Sequence, residues 1–175
     1  MEYCEKCPKA RNFNYGYKGE NFSSTKPMLV LHSQDERVEG QDYLQILSGT
    51  KTGEILRAML EQANLSFIDI YITNLVKCTF GRYPRKEEYE NCCEILQDQI
   101  EELSPRAIIF FGSKPSEYSE RIFHMRKLMA PHPSKIWAMR NHVKINGELE
   151  RIVRFLDKTG CTNKLNLPPK QLYLF

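Results

Sequence analysis

Apolar residues along the chain gather into short unbroken runs, separated by stretches of helical periodicity. Pro27-Met28-Leu29-Val30-Leu31 opens the series and reads as a buried strand. Beyond a polar loop over residues 32–41, Ile55, Leu56, Met59 and Leu60 recur at helical spacing, and Thr52-Gly53 opens that predicted helix. Residues 67–73, rich in β-branched and aromatic side chains, form a second strand. A helix follows over residues 86–103, with Tyr89, Cys92, Cys93, Leu96, Ile100 and Leu103 on one face and Pro105 as its stop. Ala107-Ile108-Ile109-Phe110-Phe111 is a third strand, closed by Gly112. Then come a helix over residues 116–125, a fourth strand over 127–130 ending at Pro131-His132-Pro133-Ser134, and a helical region to 158, interrupted near Asn146-Gly147. The first 26 residues are polar and read as an irregular arm.

Strands that are apolar throughout, alternating with helices, are the mark of a parallel sheet covered on both faces. The predicted fold is therefore a three-layer α/β/α domain around a central four-stranded, mainly parallel sheet. It spans residues 1–160 and is followed by a polar, proline-bearing tail over 161–175. Such sheets bind ligands at the carboxyl ends of their strands. Here those ends carry His32 to Asp35, Thr73 to Lys77, Gly112-Ser113 and His132 to Ser134.

Composition narrows the function classes. The 175 residues are 41% hydrophobic and 27% charged, a globular balance. No run approaches the roughly 18 apolar residues of a membrane span, so no membrane partner is expected. The first residues, Met1-Glu2-Tyr3-Cys4, lack the apolar stretch of a secretion signal, and a cytoplasmic location is expected. The net charge of +3 is mild but segregated. Residues 71–86 hold Lys77, Arg82, Arg85 and Lys86 with no acid, and residues 127–164 are mostly basic. An acidic helix carrying Glu87, Glu88, Glu90 and Glu94 lies between them. Segregation of this kind suits a surface that meets phosphates, and equally a solvated face.

Six cysteines in an unsecreted chain point to metal or redox chemistry rather than disulfides. Cys4 and Cys7 form a C-x2-C pair; Cys78 and Cys92 are spaced C-x13-C. Two close thiolates can grip a metal centre and two distant ones close it, with zinc or iron as the occupant.

This arrangement, with its third cysteine inside Tyr71-Ile72-Thr73-Asn74-Leu75-Val76-Lys77-Cys78, resembles the iron–sulfur uracil-DNA glycosylases of the family-four and family-five type. Phe111-Gly112 before a helix and His132-Pro133-Ser134 follow in the same order, so the resemblance runs from Cys4 to Lys158. It implies a four-iron four-sulfur cluster on Cys4, Cys7, Cys78 and Cys92 in preference to zinc. The resemblance, through the family's spacing to Leu96 and Gln99-Ile100, implies Cys92 rather than Cys93 as the fourth ligand, and Cys161 is left over. DNA is the implied partner, and a monomer is expected.

The chain departs from that family twice. No glycine-proline pair follows the first strand, where His32-Ser33-Gln34-Asp35 stand instead. Ser48-Gly49-Thr50-Lys51-Thr52-Gly53 lacks the aromatic that the family stacks on a flipped base, and Tyr43 is the candidate substitute. Gln34-Asp35 is similar to the water-activating pair of uracil glycosylases without a cluster. Asp35 is thus expected to aim a water at the anomeric carbon, with Gln34 beside it.

Base excision requires extrusion of the base and stabilisation of a departing uracil anion. The resemblance assigns His132 to donate to uracil O2. Asn74, with one donor and one acceptor, suits the N3–H and O4 edge. Gly112 keeps the strand end free of bulk near base or phosphate. Lys77, Arg82, Ser134 and Lys135 are expected to contact DNA, and Trp137 is the candidate wedge. Two functions stay open: a glycosylase acting on uracil or a related deaminated base, and a catalytically lapsed DNA-binding module of the same fold.

Gln171-Leu172-Tyr173-Leu174-Phe175 resembles the QLxLF peptide by which bacterial repair proteins bind the sliding clamp. Gln171, Leu172, Leu174 and Phe175 are its implied contacts, placing the protein at the nucleoid of a bacterium or in a phage-infected cell.

Overall fold

The unbroken apolar runs become the strands of one sheet. The computed structural model describes residues 6–7, 13–33, 47–80, 82–122, 125–139 and 141–163, without the side chain of residue 142. Its strands are β1 (Tyr17–Lys18), β2 (Pro27–Ser33), β3 (Tyr71–Val76), β4 (Ala107–Phe111) and β5 (Lys127–Ala130). They lie in the order β1-β3-β2-β4-β5. β2 to β5 pair in parallel, and β1 joins the edge of β3 antiparallel, Tyr17 opposite Ile72. The helices are α1 (Lys51–Gln62), α2 (Lys86–Leu103), α3 (Ser113–Tyr118), α4 (Pro133–Ala138) and α5 (His142–Lys158). The α/β fold with its mostly parallel sheet is the expected one, with five strands rather than four.

Alternation along each strand sends successive side chains into two cores. Leu29, Leu31, Ile72, Ile109 and Phe111 meet Leu56 of α1, Ile136 of α4 and Leu149 and Ile152 of α5. Met28, Val30, Tyr71, Leu75, Ile108 and Phe110 meet Tyr89, Cys92 and Leu96 of α2 and Tyr118 of α3. Burial of each large apolar side chain stabilises the fold by about 1.5–3 kcal/mol, which explains why both faces are covered.

Local signals set most boundaries. Thr50 caps α1, its side chain accepting from the Gly53 amide at 3.1 Å. Gly53 itself admits no side chain, because a Cβ there would collide with the Leu47 carbonyl. Ser104, in the left-handed region at φ 44°, closes α2 just before Pro105.

Four elements differ from the expected ones, besides α4, which stands as a helix of its own before α5. The polar arm contributes β1. Residues Phe67–Asp69 form a 3₁₀ turn rather than strand, because Asp69 Oδ2 accepts from both the amide and the hydroxyl of Ser66 at 2.9 Å. α3 starts three residues early, directly after Gly112. α5 runs unbroken through Gly147, held by Ile145, Leu149, Ile152 and Leu156 in the core. Packing of that stripe outweighs the roughly 1 kcal/mol cost of an interior glycine.

From β2 the chain crosses to β3 on one side, then returns past β2 to β4 on the other. The reversal opens a crevice between the carboxyl ends of β2 and β4, where open α/β sheets bind ligands.

Candidate functional site

A cavity of about 120 Å³ sits at that crevice, lined by His32, Tyr83, Gly112, Ser113, Lys114, Pro115, His132 and Lys135. His32 comes from the end of β2, Gly112 from the end of β4, and His132 from the turn after β5. Gly112 lies at φ 100°, ψ 168°, a region essentially reserved for glycine. His132 caps α4 ahead of Pro133, its Nδ1 accepting from the Ser134 amide at 3.3 Å and lying 2.8 Å from Ser134 Oγ. With Nδ1 accepting, the neutral ring carries its proton on Nε2.

The charged side chains lining the cavity are the cations Lys114 and Lys135, of which Lys114 is paired with Glu117 at 2.8 Å. Burial, then His32, then Lys135 lower the His132 pKa from 6.5. Burial, then Lys114, lower that of His32. Both imidazoles are thereby biased to the neutral form at neutral pH. His32 Nε2 lies 2.6 Å from the hydroxyl of Tyr89, whose own pKa burial pushes upward, so the phenol stays protonated.

The expected site residues fall into three groups. Gly112, His132, Ser134 and Lys135 come together at the cavity or its rim. Asn74 does not line it. It is buried inside β3 opposite Leu31, one residue short of the level of His32, and its carbonyl accepts from Lys77 Nζ at 2.7 Å. Asp35, Gln34 and Tyr43 lie outside the described residues, as do Cys4, Gln171, Leu172, Leu174 and Phe175.

Two basic candidates stand differently from their expected roles, while the aromatic one is open to solvent, as a wedge requires. Lys77 is fully buried, donating to Thr73 Oγ1 and the Asn74 carbonyl at 2.7 Å, and burial lowers its pKa to about 7. It does not reach a phosphate from there. Arg82 is engaged by both carboxylate oxygens of Glu88. Trp137 is 43% exposed rather than packed, with Lys51 Nζ 3.4 Å from its ring centroid. Beyond the cavity, Arg151 and Arg154 of the basic C-terminal half are paired with Glu148 and Glu150. Their charge is largely spent within α5.

The sequence did not single out His32, Tyr83 or Lys114. His32 was visible only as the last apolar-strand neighbour at a switch point, and Tyr83 only as a loop aromatic before Pro84.

Cys7, Cys78 and Cys92 are all buried. Asn91, beside Cys92 on α2, donates to Cys7 Sγ at 3.6 Å and to the Lys6 carbonyl at 3.2 Å, and Lys6 pairs with Glu94. The arm is thus fastened to α2 next to the expected fourth thiol. A second latch lies at Tyr15, whose carbonyl accepts from Thr73 Oγ1 at 2.7 Å, Gln99 Nε2 at 2.8 Å and Tyr71 Oη at 3.1 Å. Among the described residues no group of three or more His, Cys, Asp or Glu is arranged to hold a metal ion. Cys93 is buried in the core beside Cys92, and burial raises its pKa. Among the described residues no helix is long and apolar enough to cross a membrane.

Comparison with known proteins places this architecture among relatives. The family model described as the uracil DNA glycosylase superfamily matches residues 12–156. A Type-4 uracil-DNA glycosylase of Saccharolobus solfataricus is 28% identical over 128 residues, covering 70% of this chain and 57% of that protein. One from Pyrobaculum aerophilum is 32% identical over 118 residues, covering 64% and 57%. One from Thermotoga maritima is 28% identical over 117 residues, covering 65% and 58%. The chain spans little more than half the length of these curated relatives.

Proposed function

Because the chain belongs to the uracil-DNA glycosylase superfamily, we propose that it is a DNA repair enzyme, a monofunctional glycosylase that hydrolyses the N-glycosidic bond of uracil, or a related deaminated base, after base flipping. The observation that carries this reading is His132, its Nδ1 engaged by Ser134 and its ring facing a cavity at the sheet's switch point beside a bare Gly112. An Nε2–H donor held there suits a carbonyl oxygen that gains negative charge as the glycosidic bond breaks. Lys135 adds positive potential around the departing base, Lys114 being paired with Glu117, and Ser134 holds the imidazole in place. Asn74, which does not line the cavity itself, is assigned to the pyrimidine edge by its place in the Tyr71 to Cys78 motif. Asp35 aims the water, with Gln34 its neighbour in sequence. Trp137 enters the stack where the base has left.

Residues 1–163 act as the glycosylase domain, and Cys4, Cys7, Cys78 and Cys92 hold a four-iron four-sulfur cluster. Burial of the three described thiols and the Asn91 bridge from Cys7 to α2 support that set. The cluster supplies folding free energy and orders the loop that carries Tyr83. The expected boundary at 160 falls early, because Cys161 is buried in the first core and its amide donates to the Leu156 carbonyl; beyond residue 163, Gln171, Leu172, Leu174 and Phe175 dock on a bacterial sliding clamp. The protein works as a cytoplasmic monomer at the nucleoid of a bacterium, or in a phage-infected cell.

A lapsed DNA-binding module is the second reading, favoured by the replacement of a glycine-proline loop with His32-Ser33. Uracil-containing single- and double-stranded oligonucleotides, scored for alkali-labile abasic sites, decide between them. Cleavage is expected, and His132→Ala should lower single-turnover release by about a hundred- to a thousandfold with DNA binding retained. Binding without cleavage by the wild-type protein makes the second reading correct. Iron and acid-labile sulfide analysis checks the cluster: Cys92→Ala should lose both, while Cys93→Ala keeps them. Stoichiometric zinc in place of iron defeats the assignment.

A further inference from the structure

We propose that Tyr83 is the ring that receives the extruded base, standing on an aromatic ladder that ends at His32; this rests on the glycosylase reading of the same cavity. Tyr83 is 65% exposed, yet it lines the cavity shared with His132 and Gly112. Its ring contacts are with His32, at 5.3 Å between centroids, and Tyr89, at 6.4 Å. The rungs beneath are fixed. His32 stacks on Tyr89 at 5.7 Å and is tied to its hydroxyl, and Tyr89 stacks on Tyr118 at 5.4 Å. Tyr89 and Tyr118 are themselves buried in the second core.

The ladder therefore presents one held imidazole and one exposed phenol at the mouth of the cavity. An exposed tyrosine contributes little to a core, but its face offers what every nucleobase accepts, a flat π-surface. Stacking of this kind tolerates any base. Tyr83 thus supplies capture and orientation, and the choice among bases falls to polar groups elsewhere in the site. Its contribution lies in the ring and not in the hydroxyl, so phenylalanine serves equally well.

The test uses the full chain with two oligonucleotides, one carrying deoxyuridine and one carrying non-cleavable 2′-fluoro-deoxyuridine at the same position. A uracil-free duplex is the control. Wild-type protein should prefer the fluorinated oligonucleotide over the control. Tyr83→Ala and Tyr83→Leu should reduce that preference by about five- to a hundredfold, with binding to the control and thermal unfolding unchanged. Tyr83→Phe should stay within about twofold of wild type. Full preference in Tyr83→Ala, or equal losses in Tyr83→Phe and Tyr83→Ala, overturns the proposal. Wild-type preference for the fluorinated oligonucleotide without uracil release sinks the glycosylase reading and leaves the stacking role standing. Absence of both preference and release defeats the two together.

Discussion

His132 and His32 meet across the cavity at positions one hundred residues apart, and each is held below its ordinary pKa of 6.5. The native state then binds fewer protons than the unfolded chain once the pH drops below 6.5. Stability contributed by the two neutral rings is complete above about pH 7. It is lost on acidification, until the pH passes the depressed native values. Urea unfolding at pH 7.5 and 5.5 should show a lower midpoint at the acid value, and a smaller drop in His32→Asn. Gly112→Ala probes the neighbouring backbone. The nearest atom to an added Cβ is His132 Cβ at 3.6 Å, so space is adequate and the conformation is the obstacle. A loss of about 1–3 kcal/mol is expected in denaturant titration. At this scale the sequence was informative wherever a motif carried the residue, as for His132 and Gly112. Lys77 was misread because charge alone was weighed. The period of two in β3 aligns it with Tyr71, Thr73 and Leu75, on the face that packs against α2.

Among the elements, legibility followed burial. β4 and the core of β2 were plain because both faces are covered and the runs are wholly apolar. β1 was not, since a two-residue polar edge strand owes its existence to a partner some 55 residues away. α4 was merged with α5 in the sequence, although Pro133 marks a fresh start and His132 caps it. The separation matters because α4 is short enough to bury Ile136 while leaving Trp137 outward. If Trp137 fills the gap left in a duplex, its removal should be felt only where a stack exists. Trp137→Ala is expected to slow uracil release from double-stranded DNA by about tenfold and from single strands by less than about twofold, read in parallel single-turnover assays. Equal slowing on both substrates removes the wedge role.

For the whole molecule, the switch point could be located from the order of apolar runs, but the company His32 keeps there could not. Its neighbours Tyr83 and Tyr89 belong to other elements, and only the closed sheet brings them together. On the proposed reading, residues 171–175 bind the clamp independently of this body. Removing residues 171–175 should abolish retention on immobilised sliding clamp while shifting the thermal midpoint by less than about 1 °C. A large fall in the midpoint would instead mean that the peptide packs on the domain.

The Tyr15 carbonyl has a consequence for how the protein comes apart. Three donors, from two strand side chains and one helix side chain, converge on a single backbone oxygen ahead of the first strand. Peeling the leading segment away removes the shared acceptor of all three at once, at about 0.5–1.5 kcal/mol per bond, and leaves Gln99 Nε2 only the Tyr71 hydroxyl at 2.9 Å. Loosening at the front end is thereby coupled to melting of the sheet behind it. In hydrogen–deuterium exchange the amide of Tyr17 should be released together with that of Ile72, in one event rather than in sequence.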